Sequence, residues 1–178
     1  MEVNIELLKY PVGKFSMPEQ ITDEMIQAGI EVIEQFPKKI FTMLEHITVE
    51  QGVAKYRPDG WTVNQVVNHC ADSHINAFIR FKCTLTEESP TIKPYLESKW
   101  AELPDGTNPD LTFSKTIIQG LHERWTYVLK NIKPEEWDRI YLHPESKRIF
   151  SLKQALMLYT WHCNHHSAHI ANALKNPY

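Results

Sequence analysis

Apolar residues recur at three- and four-residue intervals from Thr22 to Ile47, through Met25, Ile26, Gly29, Ile33, Phe36, Ile40, Met43, Leu44 and Ile47. That spacing marks one buried face of a helix. Pro37 falls inside the run and lacks an amide proton, so the pattern predicts a kink there or a split into two helices. Val53 to Gly60, with Arg57-Pro58-Asp59-Gly60, reads as a turn. A second helix opens at Thr62, which forms a capping box with Gln65, and its stripe is Val63, Val66, Val67, Cys70, Phe78, Phe81 and Leu85. The prolines between Ser89 and Asp110 then impose a long loop excursion carrying Tyr95 and Trp100, of the kind that is usually functional or holds short helical turns. A third helix covers Phe113 to Ile132, with Ile117, Leu121, Trp125, Val128 and Leu129 in register. Ile140 to Phe150, broken by Pro144-Glu145-Ser146-Lys147, predicts a small hairpin or an extended crossover. Ser151 and Gln154 form another capping box and open a last helix that runs to Lys175. Four long amphipathic segments with little strand predict an all-α fold, a four-helix bundle in a single domain over residues 1–178.

The composition fits that reading. The chain has 178 residues, 42% hydrophobic and 23% charged. A chain of that length buries about 70% of its unfolded surface and needs no staple. The net charge of −3 comes without a basic run, which argues against capture of nucleic acid or an anionic membrane. No apolar stretch approaches the roughly 18 residues of a membrane span. The N-terminal MEVNIELLKYPVGKF does not have the order of a secretory signal, so a cytoplasmic protein is expected. Three cysteines, Cys70, Cys83 and Cys163, without a C-x-x-C pair, argue against a disulfide framework and a thiolate zinc knuckle.

Histidine changes the picture. His162, His165, His166 and His169 crowd into one stretch of the last helix. On a helical wheel His162, His166 and His169 share an arc of about 60° at the border of the apolar stripe, while His165 points further toward solvent. His162 and His166 stand one turn apart, a spacing by which one helix offers two imidazoles to one ion. The i,i+3 pairs His162–His165 and His166–His169 are also open on spacing alone. A facing helix would supply a third ligand, and the helix after Thr62 carries a polar strip of His69, Asp72, Ser73, Asn76 and Arg80. His69 is the natural candidate, leaving a fourth position open. The same strip is equally what a solvated helix face would carry. His74 lies in the apolar sector and reads as a hydrogen-bonded core histidine, whereas His46, His122 and His143 read as ordinary polar residues. No histidine stands in an H-E-x-x-H motif, and none follows a glutamate by three residues, which excludes zincin and di-iron carboxylate chemistry.

These residues also carry a resemblance. Asp59-Gly60-Trp61-Thr62-Val63, Gln65-Val66-Val67, His69-Cys70-Ala71-Asp72-Ser73-His74, Asn76 and Ile79-Arg80-Phe81-Lys82 resemble the first motif of the DinB-like superfamily, in its YfiT branch. Tyr159-Thr160-Trp161-His162, His165-His166 and Ala168-His169-Ile170 are similar to its C-terminal motif. The resemblance implies a homodimeric four-helix bundle that binds one divalent ion, zinc or nickel, through His69, His162 and His166. It also implies either a metal-dependent hydrolase or a thiol S-transferase using a low-molecular-weight thiol of the bacillithiol type. Asn68 stands where members of this branch often have a further histidine.

Three neutral imidazoles leave the charge of an ion uncompensated, which favours hydroxide over water and thiolate over thiol. The absence of a glutamate within the ligand motifs tilts the choice toward thiol transfer. Asp72, one turn from His69, is the candidate base; Arg80 and Asn76 are candidates to hold an anionic cofactor or substrate. The alternative from another class is a structural metal, closed by His165 or His169 as fourth ligand, in a bundle serving dimerisation or sensing. Trp100, Trp125, Trp137 and Trp161 exceed the obvious needs of one core and are consistent with a homodimer.

Overall fold

The computed structural model describes residues 4–178. The domain predicted over 1–178 therefore extends beyond the described residues only at its first three positions. Four long helices form the bundle: α2 (Asp23–Met43), α4 (Val63–Thr86), α6 (Thr112–Lys130) and α7 (Leu152–Lys175). Shorter pieces are α1 (Ile5–Lys9), α3 (Val49–Gly52), α5 (Glu97–Trp100), a 3₁₀ turn over Pro134–Asp138, and the hairpin strands β1 (Ile140–His143) and β2 (Arg148–Ser151). Among the described residues no helix is long and apolar enough to cross a membrane.

Both predicted capping boxes are present. Gln65 N–H donates to Thr62 Oγ1 at 3.2 Å while Thr62 N–H donates to Gln65 Oε1 at 3.1 Å. Ser151 and Gln154 exchange the same pair of bonds at 3.3 and 3.0 Å. Each box satisfies two amides that a helix start leaves without partners and sets where its helix begins, hence which residues face inward.

Helix α2 packs on α7 and α6, and α4 packs on α6 and α7. The consecutive pairs α2–α4 and α6–α7 therefore sit diagonally, and the connections between them must cross an end of the bundle. At the α2–α7 contact Gly29 admits close approach, because a Cβ there would lie 2.9 Å from Thr160 Oγ1 and 3.1 Å from Leu156 Cγ. The core runs through Ile33, Phe36, Ile40, Val67, Cys70, Phe81, Trp125 and Leu156, all essentially without solvent contact.

Two predictions about the helices need correction. Helix α2 is not split at Pro37; it runs unbroken to Met43, with the buried ring packed in the core. The buried face of α6 runs through Ile118, His122, Trp125, Thr126 and Leu129, not through Ile117, which is 42% exposed. Trp125 and Leu129 are buried as predicted and Leu121 and Val128 pack against the core, but the stripe also takes in His122, which the sequence reads as an ordinary polar residue. His122 is 1% exposed and belongs to the core.

The hairpin pairs Tyr141 with Phe150 and Leu142 with Ile149. The loop excursion is tied down at both ends. Leu142 N–H donates to Pro90 O at 2.9 Å and Ile92 N–H to Leu142 O at 3.0 Å, joining its start to β1. Further on, Gln65 Nε2 donates to Ala101 O at 3.0 Å, and Asn68 Nδ2 donates to Gly106 O at 2.9 Å. Ser114 Oγ donates to Asn68 Oδ1 at 2.7 Å, so Asn68 ties the loop and α6 to α4. Gly106 is required there, since a Cβ would meet Trp100 O at 2.5 Å.

Candidate metal centre

Because α4 and α7 are neighbours, their capped starts bring His69 opposite His162 and His166. His69 Nε2 lies 3.2 Å from His162 Nε2. Two imidazole nitrogens on one tetrahedral zinc, each at about 2.05 Å, stand about 3.3 Å apart. The rings of His162 and His166 are 4.4 Å apart and those of His69 and His166 4.9 Å, and one nitrogen from each of the three lies within 4.8 Å of the others. His69 and His166 are buried, while His162 retains partial access, so the cluster has a closed back and an open front. Trp61 packs on the His69 ring at 4.8 Å.

All three are held in the form a metal requires. Burial pushes His69 down to about 4, with the His165 ring adding to the effect. Burial also drives His162 and His166 well below the ordinary range, reinforced by the neighbouring histidines. At neutral pH each therefore presents a lone pair rather than a charge.

A second trio, His165, His166 and His169, shares His166 with the first, and among the described residues the two do not merge into a larger cluster. His169 is otherwise engaged: its Nε2 lies 3.2 Å from Lys9 O and its ring stacks on Tyr56 at 3.8 Å. His165 is buried, contrary to its wheel position, and stacks on Trp161 at 4.3 Å. The N-terminal segment causes this. Trp161 Nε1 donates to Gly13 O at 3.0 Å, and Tyr10 and Phe15 lie over His165 and Trp161. A helical wheel of α7 contains no information about a strand of chain laid across its outer face.

The front of the cluster opens on a cavity of about 400 Å³ lined by His162, Ser73, Arg80, Tyr95, Glu97, His143, Glu145 and Tyr159, among others. Arg80 Nη1 donates to Tyr159 Oη at 3.3 Å, while Arg80 Nε and His143 Nδ1 are buried without a partner. Glu97 and Glu145 come from the loop excursion and the hairpin turn, segments that carry no periodic signal, and both were missed in the sequence. Partial burial and then the neighbouring Glu145 raise the Glu97 carboxyl above its ordinary range, against the pull of Arg80. Their presence removes the ground for favouring thiol transfer.

Of the polar strip on α4, the cavity takes Ser73 and Arg80 only. Asp72 lines a separate hollow with Asp105, Asn68 and Asn108. Burial, and then the Asp105 charge, push its carboxyl up to about 6. Asn76 Nδ2 donates to Asp72 O at 2.8 Å and does not line the cavity. The tryptophans mostly find partners within the chain: Trp125 and Trp137 are buried, Trp161 lies under the N-terminal segment, and Trp100 packs on Tyr95 at 4.6 Å.

Fold and cluster together define a helical-bundle protein built around a metal-competent histidine centre. The chain belongs to the DinB superfamily, whose model matches residues 33–170. It is 45% identical over 163 residues, 92% of each chain, to the "Putative metal-dependent hydrolase YfiT" of Bacillus subtilis (strain 168). A "Putative metal-dependent hydrolase" of Bacillus cereus (strain 03BB102) is 44% identical over 168 residues, 94% of this chain and 96% of the relative. The solved structure of YfiT from Bacillus subtilis, described as "a probable metal-dependent hydrolase with an unusual four-helix bundle topology", matches with a TM-score of 0.91 at 43% identity, over 95% of this chain and 97% of that one. The resemblance read from the motif residues holds over nearly the whole chain.

Proposed function

We propose that this protein is a metal-dependent hydrolase of small anionic molecules, with His69, His162 and His166 holding one divalent ion, zinc or nickel. The observation that carries the reading is the meeting of three neutral imidazoles from two helices at metal spacing, beside a cavity that one of them lines. An ion so held supplies a nucleophile at neutral pH by lowering the pKa of bound water to about 7. The chain's own residues do the rest. Arg80, with its buried unpartnered Nε, binds an anionic group of the substrate. Ser73 and Tyr159 offer hydroxyls to developing negative charge. Glu97, with its raised proton affinity, serves as acid–base group beside Glu145. Asp72 and Asn76, which do not line this cavity, are assigned no step.

Thiol S-transfer is the second reading, favoured by the same Arg80, which would hold a carboxylate of a low-molecular-weight thiol. The two separate in one experiment. Chelator-stripped protein is reloaded with zinc or nickel and offered carboxylated esters and amides, or an electrophile with a thiol. Metal-restored hydrolysis that Glu97→Gln abolishes supports the first reading; thiol conjugation that is indifferent to Glu97 supports the second.

The homodimer reading draws support from α6, where Phe113, Ile117 and Tyr127 are exposed within an arc of about 80°. Phe113→Asp with Tyr127→Asp is expected to leave a monomer in sedimentation. An unchanged sedimentation coefficient would move the interface elsewhere.

A further inference from the structure

Pro37 and His122 belong to one arrangement. In an unbroken helix the amide of residue 37 would bond the carbonyl of residue 33. Proline has no such amide, so Ile33 O is left free inside the core. His122 Nδ1 lies 2.6 Å from it. His122 Nε2 lies 2.8 Å from His74 Nδ1, and His74 Nε2 lies 3.1 Å from His162 Nδ1. The line crosses the bundle from α2 through α6 and α4 to α7, touching all four long helices. Phe36 stacks on His122 at 5.2 Å and meets His74 edge-on at 5.0 Å, closing the line off from water.

The directions of these bonds are determined by the carbonyl, which can only accept. His122 must therefore donate from Nδ1, which leaves Nε2 as an acceptor. That acceptor requires the proton of His74 on Nδ1, and the same logic requires the proton of His162 on Nδ1. His162 Nε2 is then a lone pair, and it is the atom 3.2 Å from His69 Nε2.

We infer that His74 and His122 are positioning residues that lock the tautomer of His162, with the carbonyl freed by Pro37 as the fixed end of the line. Partners that hold a ligating imidazole in one tautomer are usually a carboxylate, a carbonyl or water. Here two neutral imidazoles extend a carbonyl across the bundle, so the ligand is oriented without bringing negative charge near the ion. The uncompensated charge that the chemistry uses is thereby preserved. This inference rests on the metal-site reading for its purpose, but not for its test.

The test has two parts. In the metal-free protein, ¹⁵N NMR of the imidazoles is expected to show His74, His122 and His162 all neutral and protonated on Nδ1. A proton on Nε2 of His74 or His122 would overturn the inference whether or not the protein binds metal. The second part is zinc affinity, measured by competition with a chromophoric chelator, for wild type, His122→Phe and His122→Gln. Phenylalanine fills the space but neither donates nor accepts, freeing His74 to donate to His162 and move its proton onto the metal-facing nitrogen. About 10–100-fold weaker zinc binding is expected. Glutamine can donate to Ile33 O and accept from His74, and is expected to restore most of the affinity. Equal affinities for wild type and His122→Phe, or an equal loss in both variants, would reduce His122 to a packing residue. Failure of the wild type to bind zinc would defeat the metal-site reading alone, with the NMR result still deciding the tautomers.

Discussion

The two sides of the histidine cluster differ in kind. Behind it, toward the bundle axis, the polar atoms of His162, His74 and His122 are paired in series, without a charged group among them. In front, toward the loop excursion and the hairpin, the cavity carries Arg80, Glu97 and Glu145 and leaves buried polar atoms of Arg80 and His143 without partners. A buried polar atom without a partner costs stability, about 1–3 kcal/mol. The unpartnered atoms of Arg80 and His143 border the cavity, where a ligand can reach them. On the proposed reading, the back orients the imidazoles and the front receives what the site acts on.

The comparison can be broken most severely at the ligands. His162→Ala is expected to reduce bound zinc from one ion per chain to near zero, read by elemental analysis after dialysis. Full metal content in that variant would remove His162 from the site.

Acid attacks the back. The buried histidines have proton affinities far below the ordinary value, with His69 and His122 near about 4 against 6.5 in the unfolded chain. As pH falls below about 6.5 the unfolded chain takes up protons before the folded one, so stability drops until about pH 4. Each such histidine contributes up to about 1.4 kcal/mol per pH unit in that window. Asp72 and Glu97 work in the opposite direction, since the folded Asp72 carboxyl holds a proton up to about pH 6 and that of Glu97 is raised above its ordinary range, but they are two groups against several. Urea midpoints of the metal-free protein across this range measure the slope; a flat profile would mean that these histidines are not buried neutral.

The front is probed more gently. Arg80→Gln is expected to raise KM for an anionic substrate by about 10–100-fold, the worth of a charged hydrogen bond, with metal content unchanged. Loss of metal in this variant would join the two sides that the structure keeps apart. The smallest effect concerns what positions His69: Thr62→Ala should cost about 1 kcal/mol in thermal unfolding by removing the cap of α4.

How much of this was legible in the sequence follows the same division. Periodicity and capping boxes placed α4 and α7, and with them the faces of His69, His162 and His166, because helix phase is a local property. The stripe of α6 was legible at Trp125 and Leu129 but not at His122, because a histidine is tolerable in a core only with hydrogen-bond partners on other helices. Pro37 predicted a kink or a split, because the sequence does not show that His122 takes the carbonyl it frees. Glu97 and Glu145 reach the cavity through a loop pinned by Leu142, Gln65 and Asn68, contacts between segments far apart in the chain. Asp72 was one turn from His69 on the wheel, yet it faces Asp105 in another hollow.

X-ray absorption at the zinc edge of the reconstituted protein tests the central claim most directly. Three imidazoles, counted by the outer-shell scattering of their rings, with nitrogens at about 2.0–2.1 Å, and one oxygen ligand that an added anion displaces are expected. Four imidazoles, or a sulfur near about 2.3 Å, would contradict an open three-histidine centre.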